Sequence, residues 1–354
     1  MPDWSSSMQQ TFEYYVVDPG TWKDMRMLTE VTGFTINRDD SSDTRGSATV
    51  DLTGSLGECY VRAYLITVQN GVKEKTPLGT FLIQTPSFSY DGKRQSTSAD
   101  AYTPLIELKE NPTPLGYSLL IGENIMDAAY KICRENARAP VVKAESTETL
   151  YYDFVSNTDD TWITFVSDLV ANAKYYIDID ELGRIIFQRQ QETAALQPVW
   201  TFTDDNSSIL YPEVSTNRDM YGIPNVVEVV YSKGSDFHYA KVVNDDPNSP
   251  TSTVARGRTI TYRDSNPDLA GNPTGEEIQR YAEDLLESLS SLEYTVSYKH
   301  AYCPVRVGDC VRLNYTRAGL TDIKAKVISQ SISCTTGCQV TEKAVFTKKL
   351  WEVI

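Results

Sequence analysis

Two dipeptides constrain this chain more than any other feature: Asn70-Gly71 and Asp91-Gly92, each set between runs suited to pleated sheet. Asn-Gly and Asp-Gly accept the left-handed backbone that a two-residue hairpin turn demands. The run before the first turn, Cys59 to Val68 (CYVRAYLITV), is rich in β-branched and aromatic side chains. Gly79 to Tyr90 precedes the second turn and Arg94 to Ala101 follows it. Pro86 lacks an N–H for a ladder, so it predicts an edge strand or a bulge. Upstream, Thr11 to Val17 reads as a strand stopped by Asp18-Pro19-Gly20. Hairpins at such short spacing predict a small antiparallel barrel or sandwich over residues 1–111.

The period then changes. Ile125, Ala128, Ala129, Ile132 and Cys133 form a helical stripe, with Asn124 as its N-cap. Trp162, Phe165, Val166, Leu169, Val170 and Ala173 form a second stripe, with Asp159 or Asp160 as the expected cap. Tyr175 to Asp180 and Arg184 to Gln190 follow as strands joined by Glu181-Leu182-Gly183. Residues 112–195 therefore read as a compact α/β module.

Residues 196–354 return to strand. Asn225 to Tyr231 (NVVEVVY) reads as a buried strand, and residues 232–273 as long polar loops around one strand, Arg258 to Arg263. Thr274 and Glu277 have capping-box spacing and open a helix over 274–291 with an apolar face of Ile278, Ala282, Leu285, Leu286 and Leu289. Tyr294–Tyr302, Val307–Tyr315, Lys324–Cys334 and Cys338–Thr347 complete the chain as strands. The fold class expected is α+β, mainly β: two β regions flanking a small α/β module.

The formal net charge is −15, which argues against a protein that grips nucleic acid, because phosphate binding needs clustered cations. An acidic passage would instead repel a DNA backbone and let it slide. Met1-Pro2-Asp3-Trp4-Ser5 shows no basic segment followed by an apolar run, and no long apolar span occurs, so cytoplasmic synthesis is expected. Tyrosine outnumbers phenylalanine 22 to 10, and its ring suits interfaces because the hydroxyl can stay wet.

Catalytic signatures are scarce. Neither His238 nor His300 has a nearby Cys, Ser or carboxylate arrangement resembling a nucleophile with its base, and no phosphate loop, nucleophile elbow or zinc-protease motif is present. The pairs Asp39-Asp40, Asp159-Asp160, Asp204-Asp205 and Asp245-Asp246 lie in turn-rich contexts, where aspartate caps backbone. Asp178-Ile179-Asp180-Glu181-Leu182-Gly183 fails as a calcium loop, since the twelfth position holds Arg189 rather than an acid. No enzyme, cofactor or metal is expected. One constellation stays open: Cys303, Cys310, Cys334 and Cys338, with Thr335-Thr336-Gly337 able to turn the last two face to face. Four thiols on adjacent strands could hold a metal or an iron–sulfur cluster, and unligated cysteines are the default.

Several segments, in order, resemble the tail hub (baseplate hub) proteins of tailed phages and related contractile injection systems. They are Leu78–Ile83 with the Asp91-Gly92 hairpin, Gly122–Cys133, the Trp162–Ala173 helix with the Asp180–Gly183 turn, Pro224–Val227, Ala282–Leu286 and Val305–Val311. The resemblance implies two tail-tube-like antiparallel β-barrel domains per subunit and a homotrimer whose six such domains dock on a hexameric tail tube. It implies a three-fold spike or tip protein below, with distal tail and tape-measure proteins as neighbours and DNA passing through unbound. The location implied is the tail tip or baseplate of a virion, assembled in the host cytoplasm. Some relatives with long tails hold an iron–sulfur cluster in the C-terminal domain, which bears on the four cysteines. Two other readings remain: a receptor- or carbohydrate-binding tail protein, and a cell-wall hydrolase using a carboxylate pair.

Overall fold

The first hairpin forms as its turn chemistry requires. Strands Cys59–Gln69 and Val72–Tyr90 pair antiparallel, and Asn70 and Gly71 carry φ of 51° and 79°. The computed structural model describes residues 2–93, 95–191, 193, 195–205, 208–218, 221–233, 236–265, 267, 273–289 and 292–348. Gly79–Tyr90, expected as a separate strand, is the second half of the 19-residue strand Val72–Tyr90. Its first half pairs with Cys59–Gln69 and its second half with Gln95–Tyr102. Pro86 lies past the last residue bound to Cys59–Gln69 and beside a register shift between Ile83 and Thr85, as a missing N–H predicts. Arg94, the first residue of the expected return strand, lies outside the described residues.

By contact the chain divides into two units. The larger comprises residues up to Val214 with Ser297–Ala344. Its main sheet runs Asp24–Leu28, Gln9–Val17, Cys59–Gln69, Val72–Tyr90, Gln95–Tyr102, Gly46–Thr53, Val31–Asp39, Leu320–Ser333 and then, within this unit, parts of Gln339–Lys348 and Leu292–Ala301. Cys310–Tyr315 pairs antiparallel with Leu320–Ser333 and parallel with Trp200–Thr203. Among the described residues no pairing closes this path. The fold is mainly β with few helices, as expected, and these strands form one open sheet that takes strands from both ends of the chain rather than a closed barrel. The reason lies in one long-range pairing: Val31–Asp39 pairs with Leu320–Ser333, matching Arg38 to Gln330 and Ile36 to Ile332. Turn residues fix hairpins locally and carry no information about such a partner.

The α/β module keeps its expected elements. Helix Ile125–Asn136 is capped by Asn124, whose side chain accepts from Asp127 N at 3.0 Å. Helix Trp162–Ala171 starts one residue later than expected: Thr161 is its N-cap and donates its N–H to Thr164 Oγ1 at 2.9 Å, while Asp160 accepts from Asn157 N. The helices bury Ile125, Met126, Ala129, Phe165, Val166 and Leu169 in one core with Ile177 and Ile185 of the hairpin. Tyr117, Trp162, Phe165 and Phe154 meet edge-to-face at 4.9–5.3 Å, a geometry worth about 1 kcal/mol per pair beyond area. The hairpin itself is Tyr175–Ile179 and Ile185–Arg189.

The smaller unit comprises Ser215–Val296 with residues from Val345 on. Val226–Lys233 pairs with Asp236–Val243 on one side and Thr261–Asp264 on the other. Helix Gly275–Leu289 buries Ile278, Ala282 and Leu286 against Val227, Val229, Tyr231 and Ala240. The expected capping box is present, with Thr274 N donating to Glu277 Oε2 at 2.7 Å and Glu277 N to Thr274 Oγ1 at 3.3 Å. The loop expected over 232–273 is corrected. It holds strand Asp236–Val243, a short helix Thr253–Arg256 and strand Thr261–Asp264, the last starting three residues after Arg258. Residues 290 and 291, the last of the expected helix, lie outside the described residues, as do 234, 235, 266 and 268–272.

Candidate functional site

Strands bury alternate side chains, so a polar residue in an inward slot must find partners inside the protein. In Gln339–Lys348 the inward positions are Val340, Glu342, Ala344 and Phe346. Glu342 is fully buried and accepts two hydrogen bonds, with the His300 ring beside it. Tyr298 Oη donates to its Oε2 at 2.7 Å, Gln330 Nε2 to its Oε1 at 2.6 Å, and His300 Nε2 lies 3.3 Å from Oε1. Tyr298 and His300 share one face of Leu292–Ala301, and Gln330 comes from Leu320–Ser333. Burial works against the charge of Glu342, yet the neighbouring His300 ring and the bonds from Tyr298 and Gln330 outweigh it and hold the carboxyl below its ordinary range. Tyr298 is pushed well above its ordinary value by burial and by that carboxylate.

From Gln330 the chain of bonds continues outward. Its Oε1 accepts from Arg38 Nη1 at 2.9 Å, and its Nε2 also donates to Val305 O at 2.9 Å. An amide oxygen toward the guanidinium and an amide nitrogen toward the carboxylate is the only orientation that chemistry permits here. Arg38 also donates to Leu78 O at 2.6 Å and lies 3.4 Å from Glu181 Oε1. Glu181 meets Arg306 Nε at 2.8 Å, and Arg306 Nη2 donates to Ile179 O at 2.7 Å. Arg45 Nε donates to Ile177 O at 2.9 Å and pairs with Asp40, which Lys326 also reaches at 3.2 Å. The row runs from Glu342 through Gln330 and Arg38 to the module hairpin, crossing neighbouring strands of one sheet.

The hairpin turn is gripped from the other side as well. Leu182 O accepts from Trp22 Nε1 at 2.7 Å and from Arg62 Nη2 at 2.9 Å. Gly183 follows at φ +74°, and a Cβ there would sit 2.6 Å from Thr80 Cβ, so both backbone and space demand glycine. Asp180 caps the turn, accepting from Arg184 N and Nε at 2.8 and 2.6 Å. The sequence Asp178–Gly183 is thus a docked turn. Burial raises Asp178 above the usual carboxylate range, with Arg306 opposing the rise. Burial likewise opposes the charge of Arg306, and Glu181 and Asp178 more than compensate.

The four cysteines are not gathered. Cys303 Sγ lies 3.8 Å from His300 Nδ1, Cys310 Sγ faces Val311 O, and Cys334 and Cys338 lie with Tyr14 at the turn after Leu320–Ser333. Among the described residues no cluster of three His, Cys, Asp or Glu side chains has a geometry that could hold a metal. Cys303, His300 and Glu342 form a thiol–imidazole–carboxylate row, but all three are fully buried. Burial raises the Cys303 thiol, the opposite of what an attacking thiolate needs. His238 sits in strand Asp236–Val243 opposite Tyr231 rather than in a loop. Asp39 accepts from Ser41 N and Asp246 from Asn248 N, local turn bonds as sequence context suggests, whereas Asp204 pairs with Arg317 far along the chain.

Sequence reasoning missed Arg38, Gln330, Glu342, Glu181 and Arg306. A signal existed for one of them: Glu342 interrupts the inward alternation Val340, Ala344, Phe346. The arrangement joins the two ends of the chain and the module through bonds that each require a partner, and it offers no exposed reactive group.

No protein-family model and no curated protein sequence matches this chain. Solved structures do. The tail protein from Neisseria meningitidis MC58 superposes with a TM-score of 0.62 at 15% identity, covering 95% of this chain and 96% of that one. The 43 kDa tail protein of prophage MuSo2 from Shewanella oneidensis gives 0.61 at 11% identity, covering 95% and 98%. A Francisella PdpA–VgrG complex gives 0.55 at 9% identity, covering 99% of this chain and 54% of that one. The likeness is one of fold, and it extends over 95% of this chain in each of the two tail proteins.

Proposed function

We propose that the chain is the structural hub of a phage tail tip or baseplate, without catalytic activity of its own. The observation that carries this reading is the match in fold over nearly the whole length of two tail proteins and of this chain alike. On this reading residues 1–111 and 196–354 supply the two tube-like halves and 112–195 the module between them. A homotrimer would adapt a hexameric tail tube to a three-fold spike or tip, with distal tail and tape-measure proteins adjacent. The net charge of −15 supports a channel through which DNA passes unbound. Among the described residues no helix is long and apolar enough to cross a membrane. The site favours a mechanical role, because Glu342, Gln330 and Arg38 tie strands from both chain ends to the module hairpin.

Light scattering on the purified protein, alone and mixed with its tail tube protein, tests the proposal. A trimer, or a monomer that assembles into a ring with tube protein, supports the hub. A monomer indifferent to tube protein would overturn it and direct attention to glycan binding.

A further inference from the structure

Beside the charge node, within the larger unit, a cleft of about 840 Å³ opens between the module hairpin and the segment around Gly308. Its size is that of sites that hold small ligands or short peptide segments. Five cations line it (Arg45, Lys174, Arg189, Arg306 and Lys326) against three carboxylates, Asp40, Asp178 and Asp309. This excess of positive charge stands out on a chain of net charge −15.

The inner cations are already engaged. Arg45 and Lys326 share Asp40, and Arg306 holds Glu181. Lys174 and Arg189 differ: both are exposed at the mouth, and neither side chain has a hydrogen bond or ion pair among the described residues. Both line the cleft at the open end of the hairpin, where Gln190 N donates to Lys174 O at 2.8 Å and Tyr175 pairs with Arg189. Lys174 has φ of 60°, a conformation in which glycine is the usual residue at a helix end. Gln188, Gln190 and Gln191 lie along the same wall and offer both amide donors and acceptors.

We infer that this cleft binds an acidic peptide segment of a partner protein, with carboxylates on Lys174 and Arg189 and main chain on the glutamine amides. A nucleic acid fits less well, because its charge continues beyond the cleft on a chain of net charge −15. A sugar fits less well too, since the ring of Tyr176 already carries the Arg45 guanidinium at 5.2 Å and has no free face on that side for stacking. The inference stands independently of the hub proposal.

Fluorescence anisotropy with a short labelled peptide of alternating Glu and Ser tests it. The full chain is expected to bind saturably and to weaken as salt rises. Lys174→Glu with Arg189→Glu should cost about tenfold or more in Kd, and Lys174→Gln with Arg189→Gln should fall between. The charge-matched pair Lys131→Glu with Arg134→Glu, exposed on helix Ile125–Asn136, should bind as wild type. Thermal unfolding of each variant checks that it is folded. Absence of saturable binding, an equal loss in the Lys131/Arg134 pair, or tighter binding of a single-stranded oligonucleotide would each overturn the inference.

Discussion

Trp22 Nε1 donates to the carbonyl of Leu182 at 2.7 Å, across 160 residues of sequence. The same carbonyl accepts from Arg62, so one turn residue takes two donors from the N-terminal region. The turn of the module hairpin is therefore a plug, held by its backbone at Leu182 as well as by the Glu181 side chain.

A plug held this way should not tolerate a methyl at its tip. Gly183→Ala meets both a left-handed φ of +74° and Thr80 Cβ at 2.6 Å. The backbone conformation costs about 1 kcal/mol and the overpacking about 1–3 kcal/mol more. Trp22→Phe removes one of two donors and should cost about 1 kcal/mol from the lost bond. Urea midpoints at unchanged m-value check the order. A Gly183→Ala protein as stable as wild type would contradict this account of the turn.

Glu342 should be the most sensitive polar position. Glu342→Leu leaves the buried Tyr298 hydroxyl without its acceptor, Gln330 Nε2 with Val305 O alone, and the His300 ring without its carboxylate neighbour, at a cost of about 3–5 kcal/mol. The carboxyl is held below 4.5 in the folded protein, so the unfolded chain binds more protons near that pH. Its contribution is present above about pH 4.5 and is lost as pH falls through the folded value. Burial raises Asp178, whose own contribution therefore runs the other way and grows as pH falls. Denaturant titrations across the acid range should show a steeper acid limb in wild type than in Glu342→Gln.

Arg306 joins Glu181 and Ile179 O, both on the module hairpin. Arg306→Met should cost about 2–4 kcal/mol, since Glu181 then keeps only Arg38 at 3.4 Å. The loss should be local before it is global. Hydrogen exchange should accelerate at the amides of Ile177 and Ile179 while those of Val61 and Leu65 in the main sheet hold. Uniform acceleration would show that Arg306 serves the whole unit.

What the sequence disclosed follows sequence distance. Asn70-Gly71, Asn124 with Asp127, and Thr274 with Glu277 act within three residues, and each was legible. Arg38 and Gln330 are 292 residues apart, and no local rule pairs them. The strand Asp236–Val243 hid for another reason. Its inward residues are Ala240 and Val242, while Phe237 and Tyr239 are exposed, so apolar residues fall on both faces and no alternation marks the strand. The site was illegible because its members are charges and amides on separate strands, each ordinary in its own segment. The helices were legible because one amphipathic stripe suffices to define each.

The cysteines test the remaining sequence-level idea directly. Cys59 is half-buried and the other five thiols are buried, all free. Burial pushes Cys59 to about 11 and Cys133 and Cys338 to about 12. Thiolate is the reactive form, so at pH 8 the folded protein should react slowly with a disulfide reagent, Cys59 first, and all six should react at once on unfolding. A four-thiol site would behave differently. It would bind cobalt(II) with an intense thiolate-to-metal absorption band, whereas these thiols, set apart at Val311, His300 and Tyr14, should give none. Appearance of that band in the folded protein would show that the C-terminal strands can gather Cys303, Cys310, Cys334 and Cys338 after all.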